Sequence, residues 1–101
     1  MTAAGHRTEC ELGLSSGEFA RHLPYALRGY SHRQGLAGGV LAEAADGRRV
    51  TITVTDLPDR RLSGLLVLPR CLASFVFEGF DEGGVAAFMA NFARAFQRGG
   101  G

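Results

Sequence analysis

Leu62-Ser-Gly-Leu-Leu-Val-Leu-Pro-Arg-Cys-Leu-Ala-Ser-Phe-Val-Phe-Glu-Gly-Phe80 is the most apolar segment of the 101-residue chain. Apolar residues occupy neighbouring positions here, so both faces of the predicted strands carry them, which is typical of a sheet covered on two sides. The segment leads directly into a predicted helix from Asp81 to Gln97. We therefore expect it to form the centre of the sheet on which that helix packs.

One position within this segment leaves two interpretations open. If Pro69-Arg70 forms a tight turn, two short strands result. One face of those strands then carries Leu65, Val67, Leu72 and Val76. Proline cannot adopt the positive φ of the favoured hairpin turns, so a looser turn or a single bent strand is the alternative.

The terminal helix has the clearest pattern in the chain. Five apolar residues recur at helical spacing on one face, namely Val85, Phe88, Met89, Phe92 and Phe96. Asp81 stands at the N-cap position, and the glycines from Gly99 onward end the helix. This pattern predicts a long helix that covers one face of the sheet.

The N-terminal part of the chain predicts a strand followed by a short helix. Polar and apolar residues alternate from Arg7 to Leu14, as expected for a half-buried strand. Ser15 and Glu18 have the spacing of a capping box, which starts a helix over Ser16–Leu23. We expect Pro24 to end this helix because proline lacks the backbone N–H that a continuing helix uses.

Two further strands are predicted in the middle of the chain. They span 38–45 and 49–56 and are joined at Asp46-Gly47, a dipeptide typical of two-residue hairpin turns. Another turn is predicted over 57–60, where Pro58 suits the second position. Residues 25–37 keep neither a helical nor a strand period for long, and we interpret them as a loop.

These elements predict an α+β fold. We expect an antiparallel sheet of four to five strands in the order β-α-β-β-β-β-α, with a short N-terminal helix and a long C-terminal helix packed on it. The length suits a single domain over residues 1–101. Residues 1–6 and 99–101 are expected to be disordered arms.

Composition argues against several classes of function. A net charge of +1 gives no general attraction to nucleic acid or to anionic membranes. All eleven basic residues are arginines, which excludes a lysine nucleophile. No run approaches the ~18 apolar residues of a membrane span, and the N-terminus lacks the apolar core of a signal peptide. We expect a cytoplasmic protein of bacterial type.

No residue pattern indicates a cofactor, a metal site or a catalytic centre. Cys10 and Cys71 lie outside Cys-x-x-Cys spacing and at apolar-face positions, which favours buried free thiols. The three histidines lack the spacing of metal ligands. The glycine-rich run at 35–39 leads into a strand instead of a helix, so we interpret it as a flexible entry to a hairpin and not as a phosphate loop.

The candidate binding site lies within residues 25–39. This segment contains polar side chains that suit a carboxylate or phosphate, namely Arg28, Tyr30, His32 and Arg33. Loops on rigid scaffolds often carry function. We therefore expect these four residues to meet an anionic small molecule.

A second group of arginines depends on the turn at Pro69. An up-and-down meander would place both hairpin turns and the end of the last helix together. The arginines that would meet there are Arg48, Arg49, Arg70, Arg94 and Arg98. They would suit an acidic partner or nucleic acid, but no aromatic face for base stacking accompanies them, so nucleic-acid binding is the weaker hypothesis.

The uncovered apolar face predicts association. The long helix covers one face of residues 62–80, and the short helix can shield only part of the other. Exposed apolar patches of this kind mark interfaces. We expect a homodimer, or a different protein, docked on the sheet through Leu65, Val67, Leu72 and Val76.

Two classes of function follow from these observations. The leading prediction is a small non-enzymatic binding module whose partner is an anionic ligand or a protein. The alternative is a small enzyme, or an accessory subunit of an enzyme complex, that uses the 25–39 segment as an active-site lid.

Overall fold

The computed structural model describes residues 6–35 and 39–99. These residues form one five-stranded antiparallel sheet and two helices. In chain order the elements are β1 (His6–Leu12), α1 (Ser16–Ala26), β2 (Ser31–Gln34), β3 (Val40–Glu43), β4 (Arg49–Arg61), β5 (Val67–Glu78) and α2 (Glu82–Gly99). The strands lie in the order β1-β5-β4-β3-β2 across the sheet. The predicted α+β class, the antiparallel sheet, the short N-terminal helix and the long C-terminal helix are confirmed.

The aromatic stripe predicted on α2 is also confirmed. Phe88, Phe92 and Phe96 are each at most 5% exposed. Phe92 meets Phe75 of β5 edge to face, with ring centroids 4.8 Å apart, an arrangement that the charge distribution of aromatic rings favours. These contacts fix α2 on the sheet over β5.

The short helix α1 lies beside α2 on the same face of the sheet. Its Phe19 ring stacks on Phe96 with centroids 5.1 Å apart, and its Leu23 belongs to the same buried core. The expectation that α1 shields part of the other face is therefore wrong. Because the apolar side of α1 packs against the phenylalanines of α2, the second face of the sheet has no helix from the described residues on it.

Helix α1 begins as predicted and continues beyond its predicted end. Ser15 Oγ accepts a hydrogen bond from Glu18 N at 3.2 Å, and the Glu18 carboxylate accepts one from Ser15 N at 3.1 Å, which completes the capping box. Pro24 does not end the helix. Although Pro24 lacks an N–H, Leu27 N still donates to the carbonyl oxygens of Leu23 and Pro24, so the turn after the proline is retained.

The hairpin predicted at Asp46-Gly47 is confirmed, but its loop has three residues instead of two. Gly47 N donates to Ala44 O at 3.0 Å, and Ala44 N donates to Arg48 O at 2.8 Å. Gly47 has a φ of 94°, the left-handed conformation that closes a three-residue loop. The single positive φ therefore falls on the residue that tolerates it best.

Strand β2 lies in the segment expected to be a loop, so that expectation is wrong. Its four residues are all exposed and show no alternation. Main-chain pairing with β3 holds the segment at the edge of the sheet, from Ser31 opposite Glu43 to Gln34 opposite Val40. The predicted glycine-rich entry at 35–39 lies partly outside the described residues.

Strands β4 and β5 form one long hairpin whose connection is at neither of the two predicted turns. Pro69 lies inside β5, and the turn predicted over 57–60 is a bulge at which the β4 register shifts. The connection consists of residues 62–66, in which Leu62 N donates to Leu66 O at 2.9 Å. Of the two interpretations of Pro69, the single strand is correct.

The far end of this hairpin has no neighbouring strand among the described residues. β1 pairs with β5 as far as Cys71, and β3 pairs with β4 as far as Ile52. We call residues 57–70 the hairpin arm. An unpaired edge tolerates proline, which explains how Pro69 fits within β5. With this arm the molecule measures 50 Å along its longest axis and 26 and 25 Å along the others.

The end of the arm exposes a cluster of apolar side chains. We call it the leucine tip, and its residues are Leu62, Leu65, Leu66, Val67 and Leu68. Leu65 is 99% exposed, and the others are between 38% and 51% exposed. A group of apolar side chains this exposed usually marks a binding surface.

The four predicted interface residues do not share one face. Leu72 and Val76 lie half-buried on the helix-free side of the sheet, which we call the open face. The central residues of the open face are Leu41, Thr51, Thr53, Leu72, Ser74 and Val76. Val67 lies on the opposite face of the continuous strand β5, and Leu65 lies in the connection between β4 and β5. The expectation of a single face is wrong because it required a turn at Pro69.

The predicted terminal arms lie largely outside the described residues. His6 begins β1 and Gly99 ends α2, so both positions belong to regular elements, contrary to the prediction.

β1 ends at Leu12, two residues before its predicted end, because its pairing with β5 stops where Leu12 lies opposite Cys71.

Leucines in the core and at the tip should respond differently to truncation. Leu23 is 4% exposed and Leu65 is 99% exposed, so Leu→Ala removes the same atoms from opposite environments. We expect Leu23→Ala to lower the free energy of unfolding by about 2–5 kcal/mol and Leu65→Ala to change it by less than about 0.5 kcal/mol. Urea denaturation of dilute protein, followed by circular dichroism, measures both. Equal losses in the two variants would contradict this core.

Candidate functional site

A cleft of about 490 Å³ lies between α2, the end of α1 and the loop after α1. We call it the arginine cleft. Its polar lining residues are Tyr25, Arg28, Tyr30, Arg48, Asn91 and Arg94. Small-molecule sites commonly occupy roughly 300–1,000 Å³, so the space suits a ligand of that class.

Helix α2 forms the floor of the arginine cleft. Its lining residues recur every three or four positions from Gly84 to Ala95 and therefore lie along one side of the helix. Small side chains such as Ala87 leave space above the helix, and the Phe88 ring closes the floor toward the core. The lining span corresponds to ~16 Å of helix, so the cleft is elongated along α2.

Arg48 occupies the end of the cleft near the start of α2. Its Nε lies 2.9 Å from an Asp46 carboxylate oxygen, and its guanidinium carbon lies 4.8 Å from the centre of the Phe80 ring. The hydrogen bond to Asp46 raises the pKa of Arg48 above its ordinary value. The side chain is therefore charged and held on two sides.

The first turn of α2 is shaped to accept Arg48. Asp81 caps the helix as predicted, with Oδ1 accepting a hydrogen bond from Gly84 N at 2.7 Å. A Cβ at position 84 would lie 3.2 Å from Asp81 Oδ1 and 3.4 Å from Arg48 Nη1. Glycine at this position lets the arginine approach the helix closely.

Tyr30 and Arg28 reach the cleft from the turn after α1. The Tyr30 ring meets Phe88 edge to face with centroids 5.7 Å apart, and Tyr30 N donates to Leu27 O at 3.0 Å. Gly29 has a φ of 88°, which turns the chain between the two side chains. Tyr30 is thus fixed by the core, whereas Arg28 is exposed.

Arg94 and Asn91 lie at the other end of the cleft. Arg94 Nη2 donates a hydrogen bond to Asn91 Oδ1, one turn earlier on α2. Tyr25, which is 68% exposed, lines the cleft from the end of α1. This end therefore combines a charged donor, an amide and an exposed phenol.

The cleft has an excess of positive charge. Three arginines line it, and its described lining includes no Asp or Glu. Asp46 partly offsets Arg48 from outside the lining. Arg28 and Arg94 take part in none of the ion pairs found among residues 6–35 and 39–99. An anion can therefore reach these two guanidinium groups without displacing a carboxylate.

The four predicted site residues are divided between two places. Arg28 and Tyr30 line the arginine cleft. His32 and Arg33 lie on β2, where Ser31 joins them in a shallow pocket of about 180 Å³. Neighbouring residues of a strand point to opposite faces, so the fold does not bring the four side chains to one point.

The arginine group expected at one end of the meander does not form as predicted. Arg49 lies opposite the end of β5, whereas Arg70 lies about 26 Å further along the hairpin. Each is paired with a glutamate. Arg48 and Arg94 do come together, in the arginine cleft. The side chain of Arg98 lies outside the described part of the chain.

Sequence reasoning did not find Tyr25 or Asn91 as cleft residues. One signal for the cleft was present, since Gly84, Ala87 and Ala95 place small side chains beside the phenylalanine stripe of α2. Small residues at helical spacing next to an apolar stripe indicate a place where another group approaches closely. The pattern does not reveal which segment lies opposite.

The two cysteines are free thiols, as predicted. Cys71 is buried and Cys10 is half-buried. Burial in apolar surroundings raises the pKa of both thiols above the ordinary value. Neither lines the arginine cleft. Both therefore lack the lowered pKa that marks a reactive cysteine.

No group of three or more His, Cys, Asp or Glu side chains in residues 6–35 and 39–99 could hold a metal ion. Neither described helix combines the length and the apolar character needed to cross a membrane.

Similarity to known proteins does not assign this chain to a family. Comparison with protein-family models, with curated proteins and with solved structures finds no match.

Both thiols should react slowly in the folded protein, because the thiolate is the nucleophile and the raised pKa keeps it scarce. We expect iodoacetamide at pH ~8 to label Cys71 and Cys10 at least about 10-fold more slowly than in guanidinium chloride, with the half-buried Cys10 labelled first. Peptide mass spectrometry measures both rates. Equal labelling of folded and unfolded protein would contradict the burial of these residues.

Proposed function

We propose that this protein is a small non-enzymatic binding module whose ligand is an elongated anion held in the arginine cleft. The observation that supports this proposal is the lining itself, with three arginines along one groove and no carboxylate among its described lining residues. The planar guanidinium group donates paired hydrogen bonds to carboxylate and phosphate. Anions are therefore the ligand class that the cleft favours.

The arrangement along α2 favours an anion with charge at both ends. Arg48 lies beside Gly84, and Arg94 follows ten residues later, ~15 Å along the helix axis. Between these ends the floor is apolar, formed by Ala87 and Phe88. A linear dicarboxylate, or a molecule with phosphate at one end and carboxylate at the other, matches this spacing.

The two tyrosines would orient an anion that the arginines bind. Tyr30 is held by Phe88 and presents a phenol that can donate to a ligand oxygen. Tyr25 stands at the rim and offers both a flat apolar surface and a hydroxyl group. Arg28 completes the wall opposite α2. A bound anion would thus meet donors from two sides of the groove.

The chemistry of the lining favours binding over catalysis. Nucleophilic and acid–base catalysis rely mostly on Ser, Cys, His or a carboxylate, and the described lining of the cleft contains none of these. His32, the histidine predicted for this segment, lines the pocket on β2 instead. An enzyme or accessory subunit with a lid at residues 25–39 is therefore the less favoured alternative.

A protein partner is the second candidate, and the leucine tip supports it. Its exposed apolar side chains are of the kind that a docked protein would bury. Half-buried Leu72 and Val76 extend the apolar surface onto the open face. We retain docking through the sheet, by a homodimer or a different protein, as part of the proposal.

We propose that the protein is cytoplasmic. The arginine-only basic composition is the reason for proposing a bacterial source. Two free thiols on adjacent strands fit a reducing compartment, where disulfides are rare. Nucleic acid remains the weaker hypothesis, since the net charge is +1 and the arginines on the sheet, such as Arg49 and Arg70, already pair with glutamates.

Removing a cleft arginine should weaken the binding of a linear dicarboxylate. We would titrate pimelate into isotope-labelled protein and follow backbone amide shifts by NMR. We expect saturable shifts confined to residues 25–30, 48 and 84–95. Arg28→Gln and Arg94→Gln should each raise the dissociation constant by about 10-fold or more, because each removes charged hydrogen bonds.

The matched control is Arg33→Gln, which makes the same change in charge on β2. It should leave pimelate affinity within about twofold, since long-range charge effects are screened by salt. Hexanoate, with one carboxylate, should bind more weakly than pimelate, and inorganic phosphate tests for a simple anion site. Absence of saturable cleft shifts with all three probes, or an equal loss in the Arg33→Gln variant, would overturn the proposal.

A further inference from the structure

We infer that the hairpin arm is a dimerisation element, and that two copies of the chain pack open face against open face so that each arm lies over the sheet of the other copy. This inference rests on the proposed docking through the sheet and is independent of ligand binding in the arginine cleft.

The apolar residues of the open face continue from the sheet into the arm. Along β5, alternate residues on this side include Leu68 in the arm and Leu72 and Val76 on the sheet. Leu57 pairs with Arg70 on the same side. Leu68 is 38% exposed and belongs to the leucine tip, while Leu72 and Val76 are half-buried. Apolar side chains therefore recur along β5 on this side, from the arm to the sheet, with Arg70 and Ser74 between them.

The edges of the arm are unsuited to pairing with another strand. Pro58 and Pro69 each remove a backbone donor, and the β4 register shifts between Leu57 and Arg60. Prolines and bulges of this kind protect exposed edges from strand addition. The arm can therefore associate through its side chains far more readily than through its backbone.

The charges of the open face allow two copies to approach. The alternation of residues and the pairing of Arg60 with Leu68 place five arginines and four glutamates on this face; they are Arg7, Glu9, Glu11, Arg33, Glu43, Arg49, Arg60, Arg70 and Glu78. Three arginines already pair with glutamates on the same face. Because the two signs of charge nearly cancel, two identical faces meet with little net repulsion.

Arg70 lies midway between the arm and the sheet, where a twofold axis would pass. Its Nη1 is 3.0 Å from Glu11 Oε2 and its Nε is 2.9 Å from Pro58 O. Burial in a dimer would leave no unpaired charge at this point, which is the main cost of burying an arginine. A twofold axis near Arg70 places Leu68 of one copy over Leu72 of the other and the leucine tip near Val76.

The size of the surface fits a second copy. The molecule extends 50 Å along its longest axis, so an interface that uses the arm and the sheet together has the length to approach the ~800 Å² per partner of a standard interface. The leucine tip alone would bury much less. A partner must therefore cover arm and sheet together, and an identical elongated face does so by symmetry.

Oligomeric state tests the inference directly. Sedimentation velocity from about 5 to 500 μM should show a concentration-dependent dimer. Leu68→Glu in the arm and Val76→Glu on the sheet should each raise the dimer dissociation constant by at least about 100-fold. Ala93→Glu is the matched control, because it adds the same charge at an exposed position on α2, away from the open face. It should leave the dimer intact.

Cross-linking tests the alignment of the two copies. A mixture of Leu68→Cys and Leu72→Cys proteins should give a covalent heterodimer with a short bismaleimide, in higher yield than either variant alone. Unsubstituted protein, whose own thiols are buried or half-buried, should not cross-link. Melting curves identify variants that fail to fold, and Leu68→Ser with Val76→Thr then replace the glutamates.

Several results would overturn the inference. A monomer throughout the concentration range excludes a second copy and leaves the arm to a different protein. A dimer lost in the Leu68→Glu variant but unaffected by Val76→Glu means contact between two tips, not between arm and sheet. An equal loss in the Ala93→Glu variant, or no preferential cross-linking in the mixture, excludes the open face or the proposed alignment.

Discussion

The packing of the α2 phenylalanines against β5 is the contact on which the other features of the fold depend. Phe92 lies edge to face on Phe75, and Phe88 on Phe77 with ring centroids 5.3 Å apart. Because Phe19 then packs against the same stripe, α1 joins α2 on one side of the sheet. Among the described residues no helix covers the other side, and the hairpin extends beyond its neighbouring strands. One packing arrangement thus accounts for both candidate surfaces.

The arginine cleft results from the same packing of α2 on the sheet. Phe88 turns its ring into the core, where it meets Phe77, and also forms part of the cleft floor. The small residues next to it on α2 leave the space between the helix and the turn after α1 unfilled. Tyr30 closes the gap on one side by resting on Phe88. The floor of the cleft and the core therefore share Phe88, so this part of the floor is as rigid as the core.

Periodicity predicted the elements that bury side chains and failed for those that do not. The α2 stripe, the α1 capping box and the alternation along β5 each follow from contacts that a single segment makes with the core. Strand β2 buries none of its side chains, so its pairing with β3 leaves no pattern in its sequence. The conformation at Pro69 was left open because local rules state only that proline is disfavoured in a paired strand, whereas an unpaired edge tolerates it. How far β1 pairs along β5, and therefore whether Pro69 lies at an unpaired edge, depends on a different segment of the chain.

The candidate site was half predictable for a related reason. Arg28 and Tyr30 were found because they lie in one short segment with an unusual density of polar groups. Arg48 and Arg94 reach the same cleft from the β3–β4 hairpin and from α2. They were expected to meet, but together with Arg70 at one end of a meander. Since β5 runs through Pro69 without turning, α2 starts beside the hairpin that contains Arg48, whereas Arg70 lies far along β5. The conformation at one proline therefore keeps Arg70 away from the arginines of the cleft, and it does so by setting the direction of the last strand.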